Sequence, residues 1–256
     1  MKKIVICISL WAGIFAVSCK KSTPEAPEGI PMSFGTAAVS RAVNLVDSEN
    51  INQADNRLTV YDLYTTSGQS VLYMDSTQVT CDVSGNWTYS PLKYWTETGT
   101  HAFTAYLSKQ NGVALDGTNT SYPTVKYDQT ANALRISPWE ITSDNQFDFL
   151  YAYHSRSMTA EADPHRQVEF ELNHLLCAVQ FNVVNLMPSE TVTLTGFTLS
   201  GLHKGSAVIT QGTPAVTLAV DATYDFSADI ASGGQTLTFN QAHNLFSSNG
   251  DEGYLL

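Results

Sequence analysis

Residue types able to do acid–base, nucleophilic or metal chemistry are few in this 256-residue chain, and their spacing is wrong for it. No G-x-S-x-G nucleophile elbow, H-E-x-x-H, phosphate-binding G-x-x-x-x-G-K or G-x-G-x-x-G run occurs. His154 and His165 bracket a charged stretch, and neither keeps a specific metal-ligand interval to a second His, Cys or carboxylate. His174 lies in an apolar alternation, where donation to a backbone carbonyl in the core is expected. Glu169 and Glu171 alternate with Val168, Phe170 and Leu172, which makes an outward carboxylate stripe and not an acid/base pair. A secreted hydrolase assembled from carboxylates on distant strands is the outlying reading; no enzyme activity, metal or cofactor is expected. Trp87, Tyr89, Tyr94, Trp95 and Phe103 fall within seventeen residues. They suit either an exposed platform for stacking on sugar rings or a hydrophobic core, and the large area of Trp87 and Phe103 favours the core.

Two further residues stand out by position. The run TAAVSRAVNLV, residues 36–46, reads as a strand with Val39, Val43 and Leu45 on one face. Arg41 falls on that same face, the only charge between Glu28 and Asp47. A guanidinium buried there without a partner would be costly, so an exposed or loosely held place is expected for it. Cys19 is the second. The chain opens Met-Lys-Lys and then carries no charge over residues 4–17, a run too short to span a bilayer as a helix and suited to a signal-peptide core. Ala16-Val17-Ser18-Cys19 resembles a bacterial lipobox, with Ala16 where leucine is usual; there the cysteine is acylated, as with palmitate, and becomes the mature N-terminus. Each buried methylene of such a chain contributes about 0.8 kcal/mol to anchoring.

Removal of residues 1–18 takes away Lys2 and Lys3 and leaves 11 basic and 24 acidic residues, a formal charge of −13. So acidic a protein has no electrostatic footprint for nucleic acid, and anionic headgroups will not hold it. Of the four cysteines, Cys7 lies in the signal segment and Cys19 is the lipidation candidate. Cys81 and Cys177 sit in apolar alternating segments without zinc or redox spacing. Export allows them a disulfide, while two buried free thiols are the expected state.

These residues sit on a strand-rich chain. Residues 20–33, KKSTPEAPEGIPMS, carry three prolines and no apolar period, which suits a flexible spacer, so 19–33 is read as linker. From residue 34 onward Thr, Val, Tyr and Phe abound between turns of Gly, Asn, Asp and Ser. No twelve-residue window has a helical stripe. Strands are expected over 58–66, 71–74, 78–83, 86–89, 102–107, 133–136 and 148–154, with a looser stretch at 109–124. Residues 155–166, SRSMTAEADPHR, break the pattern with charge and proline, and a domain boundary is placed there. The clearest alternation follows, through Val168, Phe170, Leu172, Cys177, Val179, Phe181 and Val183, then strands at 191–199, 215–220 and 236–239. Gly196 interrupts the alternation and predicts a bulge. Gly253-Tyr254-Leu255-Leu256 reads as the start of another buried strand, so the C-terminus is expected to be truncated.

The spacing W-x-Y-x-P-x-x-Y-W at Trp87 to Trp95, followed by His101-Ala102-Phe103-Thr104-Ala105-Tyr106, resembles the fimbrillin family of bacterial surface lipoproteins. So do Asp148-Phe149-Leu150-Tyr151-Ala152, Val168-Glu169-Phe170 and the run from Asn173 to Phe181, and the likeness extends from about residue 30 to the end. Thr96 stands where a proline often follows the Tyr-Trp pair, Cys177 replaces a more usual apolar residue, and Lys20-Lys21 lack the acidic pair of a surface-export signal. The resemblance implies an all-β fold of two tandem, transthyretin-like β-sandwich domains, 34–160 and 161–256, the second incomplete. It implies a lipid-anchored fimbrial (pilus) subunit precursor that polymerises by protease-triggered strand exchange and supports adhesion. The chain would be held at the cell outer membrane through Cys19 and then incorporated in a fimbrium. Implied partners are other fimbrial subunits, an Arg-specific protease and a host protein or glycan. Arg41–Ala42 is then the expected scissile bond, with 34–40 as the displaced strand and Arg57 as a weaker alternative site. The alternative reading is a surface glycan-binding lipoprotein that does not polymerise.

Overall fold

The structure of the protein, a computed structural model, describes residues 29–38, 50–141, 147–176, 178–179, 182–196, 198–200, 204–218, 223–225, 235–244 and 254–255. These are all-β, with no helix among the described residues. The first ten strands are β1 (Phe34–Ala38), β2 (Arg57–Thr66), β3 (Gln69–Cys81), β4 (Trp87–Thr88), β5 (Thr100–Gln110), β6 (Val113–Ala114), β7 (Val125–Asp128), β8 (Ala133–Glu140), β9 (Leu150–Ser157) and β10 (Val168–His174). The rest are β11 (Ala178–Val179), β12 (Asn182–Val184), β13 (Val192–Leu194), β14 (Thr198–Ser200), β15 (Lys204–Thr210), β16 (Thr213–Leu218), β17 (Thr223–Asp225), β18 (Gln235–Leu237), β19 (Ala242–Asn244) and β20 (Tyr254–Leu255).

A large sheet runs β1-β10-β9-β5-β2-β3-β4, with β6 attached to β5. A second sheet runs β16-β15-β8-β7. Two-residue turns with both residues at positive φ close three of the hairpins: Ser67-Gly68, Asn111-Gly112 and Gln211-Gly212. This turn matches strand twist and places glycine where a side chain would be strained. β3 is one strand where two are expected, because Ser76 at φ 47° makes a bulge and pairing with β2 resumes beyond it. Beyond β10 the pairs β11–β20, β12–β19, β13–β18 and β14–β17 nest antiparallel, with the β15–β16 hairpin innermost. The strand expected over 191–199 is described as β13 and β14, and the bulge predicted at Gly196 falls between them, next to residue 197, which lies outside the described residues.

Alternation sends the two faces of the large sheet into separate cores. Leu58, Val60, Phe103, Ala105, Val168 and Phe170 point to one. Tyr61, Tyr106 and Tyr151 point to the other, against Leu134, Ile136 and Ile209 of the smaller sheet. Strands on both sides of residue 160 contribute to both sheets. β10 pairs antiparallel with β9, and β15 pairs with β8. The charged stretch 155–166 holds the end of β9 and most of the connection to its neighbour β10, and Arg156, within β9, is turned inward and only 1% exposed.

Candidate functional site

The backbone of residues 29–38 closes the large sheet. β1 lies at its edge, paired in parallel with β10 from Phe34↔Val168 to Ala38↔Leu172. Val168 N donates to Ser33 O at 2.9 Å. Just upstream the chain changes neighbour. Met32 N donates to Lys93 O at 2.8 Å, Trp95 N donates to Ile30 O at 3.0 Å, and Pro31 faces Tyr94 in an antiparallel bridge. The segment is therefore a seam, hydrogen-bonded to 93–95 on one side and to β10 on the other. Residues 30–32, within the predicted linker, are part of it.

Side chains lock the seam. Phe34 is 2% exposed, stacked on Phe170 at 5.7 Å between ring centroids and edge-on to Tyr89 at 5.4 Å and Phe103 at 5.9 Å. Burying such a ring contributes about 1.5–3 kcal/mol, and good ring geometry adds about 0.5–1.5. Gly35 lies beneath two polar side chains: a Cβ there would stand 2.6 Å from Gln167 Nε2 and from a Glu169 carboxylate oxygen. That absence of a side chain lets Gln167 Nε2 donate to Phe34 O at 2.7 Å. Thr36 Oγ1 donates to Asn52 Oδ1 at 3.0 Å, and the same oxygen accepts from Trp87 Nε1 at 2.8 Å. A cavity of about 400 Å³ borders the strand, lined by Gly35, Asn52, Gly85, Trp87 and Glu169 among others. The arrangement is an edge strand that seats one aromatic side chain in an aromatic slot.

Of the residues singled out from sequence, Cys19, Arg41, Ala42 and Cys177 lie outside the described residues. Cys81 is buried with a free thiol, whose pKa burial pushes up, the Asp82 carboxylate adding to this. Trp87, Trp95 and Phe103 are core residues, and Tyr89 packs against them, so these rings form no exposed sugar platform. Glu169 and Glu171 point outward as predicted. The His174 side chain is buried, and among the described residues its partner is Asp148, Nδ1 to Oδ1 at 2.8 Å, where a backbone carbonyl was expected.

A network that sequence spacing did not signal joins Asp62 Oδ2 to His101 Nδ1 at 2.6 Å and His101 Nε2 to Thr96 Oγ1 at 2.9 Å. It has the order of a carboxylate–imidazole–hydroxyl relay. Yet both Asp62 and His101 are fully buried, and Tyr64, Tyr73, Trp95 and Phe103 surround the imidazole. Burial raises the Asp62 pKa, partly offset by the hydrogen bond from His101. With Thr96 donating to Thr98 O at 2.8 Å, the relay fastens the turn that follows the seam's partner segment 93–95. The sequence separation of 39 between Asp62 and His101 leaves no local motif to find.

The Fimbrillin-like family profile matches residues 40–248, beginning just after β1. Two crystal structures from Bacteroides resemble the chain. One, from B. ovatus ATCC 8483 and provisionally described as a cell adhesion protein, is 16% identical with a TM-score of 0.41, over 78% of this chain and 73% of that one. The other, from B. thetaiotaomicron VPI-5482 and provisionally described as an adhesin, is 14% identical with a TM-score of 0.43, over 82% and 67% respectively. No curated protein sequence matches. On the strength of the profile match over most of its length, the chain belongs to the Fimbrillin-like family.

Proposed function

We propose that the protein is the lipid-anchored precursor of a fimbrial subunit, tethered through Cys19 and activated when an arginine-specific protease cuts Arg41–Ala42. Family membership carries the coarse part: a structural, pilus-type role at the cell surface. The observation that supports the finer part is the seam. β1 precedes Arg41, fills an aromatic slot with Phe34, and covers an edge of β10 whose backbone groups otherwise stand unpaired. Such an edge beside an apolar slot captures a complementary strand. Capture from another subunit is head-to-tail and propagates as a filament. The aromatic cluster at 87–103 being core, nothing here favours the glycan-binding alternative.

The test is direct. Folded protein is incubated with an arginine-specific protease, the new N-terminus is sequenced, and the products are run unheated on a denaturing gel. A new N-terminus at Ala42 and a ladder of multimers are expected. An uncut 40–43 segment, or a cut monomer that never forms multimers, would overturn the reading.

A further inference from the structure

Arginine side chains elsewhere in the chain raise a question of selectivity. Arg57, Arg135 and Arg156 lie within β2, β8 and β9, where ladder pairing holds the backbone. Arg166 is different. Its side chain is 61% exposed, and it stands in the connection between β9 and β10, a place where proteases ordinarily cut.

Arg156 occupies the underside of that connection. Its guanidinium lies over the Trp95 ring at 5.0 Å. Nη1 donates to Arg166 O at 2.5 Å and Pro164 O at 3.5 Å, and Nη2 donates to Gln167 O at 3.2 Å. Nε faces Glu161 Oε2 at 3.6 Å, and Nη2 also meets His154 Nε2 at 3.2 Å. The carbonyls on both sides of the Arg166–Gln167 bond are therefore held by one buried side chain. Beyond the bond, Gln167 is fastened again through its side chain to Phe34 O.

We propose that Arg156 guards the Arg166–Gln167 bond, a second arginine-directed cleavage site that the folded chain keeps closed. Hydrolysis there would break the C–N bond, with water's hydroxyl adding to the Arg166 carbonyl carbon and its proton going to the Gln167 nitrogen. Any protease must first take the Arg166 carbonyl oxygen into its own oxyanion hole. Arg156 occupies that oxygen from the protein side, so the bond is cut only after the guanidinium lets go. Loss of β1 would remove the Gln167–Phe34 bond and leave Arg156 as the restraint that stops processing at one cut. This matters only where an arginine-specific protease meets the chain, and so rests on the function proposed above.

The experiment is limited digestion of the full chain with an arginine-specific endoprotease, with each cut located and timed by mass spectrometry. Wild type should stay intact at Arg166. In Arg156→Met that bond should be cut about ten- to a hundredfold faster, the range set by loss of charge-assisted hydrogen bonds from the closed form. Ala162→Arg, which keeps Arg156 and adds an exposed arginine whose carbonyl Arg156 does not hold, should be cut after residue 162 with Arg166 still intact. Rapid cutting of wild type at Arg166 would overturn the proposal, as would an intact Arg166 in Arg156→Met. So would an uncut Ala162→Arg, which would show that the connection itself resists. Cuts in Arg156→Met spread evenly over Arg57, Arg135 and Arg166 would also overturn it, leaving Arg156 a fold-holding role alone. Cutting at Arg41 is read separately in the same digests, so failure there and failure at Arg166 are distinguishable.

Discussion

Phe34 is the side chain on which the seam depends. It meets three aromatic rings, while its neighbour Gly35 is covered by Gln167 and Glu169. Phe34→Ala should cost about 3–5 kcal/mol, the range for emptying a buried aromatic site, measured as a lower denaturant midpoint. If the loss is confined to the seam, amides of β1 and of Met32 should exchange faster while β5 stays protected. Equal loss across both would show that the slot and the rest of the core open together. Some of this was legible in the sequence. The alternation of Val168, Phe170 and Leu172 with glutamates told which face of β10 is buried. That Phe34 would stack on Phe170 was not legible, because nothing local links residues so far apart in the chain. For the same reason nothing in the sequence signals the Asp62–His101 pair or Asp148 as a partner of His174.

At the level of strands, apolar content and the turns between runs located β2, β5 and β9, which are buried on both faces, and the period-2 pattern located β10, while only the first half of β8 was expected. β7 and β15 went unread. Lys204-Gly205-Ser206 opens β15 with polar and small residues, and its place is set by pairing with β8 and β16. The stretch 155–166 reads as a break on its charge and proline, and nothing local to it signals that tertiary hydrogen bonds bury Arg156. The strand most open to experiment is β1. A chain beginning at residue 42 should melt at a lower temperature than the full chain, and a synthetic peptide of residues 29–38 should restore much of the loss by mass action. Calorimetry with increasing peptide checks this. An unchanged melting temperature at saturating peptide would mean that the groove does not persist once emptied.

Across the whole molecule, the two sheets are joined by stacked phenols. Tyr61 of β2 lies on Tyr127 of β7 at 4.3 Å and 11° between ring planes, with Tyr106 in the same core. Burial is the first cause that raises the pKa of all three, that of Tyr127 to about 12. Because these folded values lie above the unfolded 10.0, their contribution to stability is fully present below pH 10 and is lost as pH climbs through 10 towards about 12. Denaturant midpoints should hold steady up to about pH 9 and then fall, and the fall should be smaller when Tyr61, Tyr106 and Tyr127 are each replaced by Phe. An alkaline fall of the same size in the Phe variants would show that these three phenols do not cause it.

The leading segment also divides its loyalties between two hosts, residues 30–32 holding to 93–95 and residues 34–38 to β10. Under the exchange proposed above, its departure would be a release in instalments. One flank would let go while the other still occupied the slot, and a newcomer would begin pairing along the freed flank before the aromatic site was left bare to water.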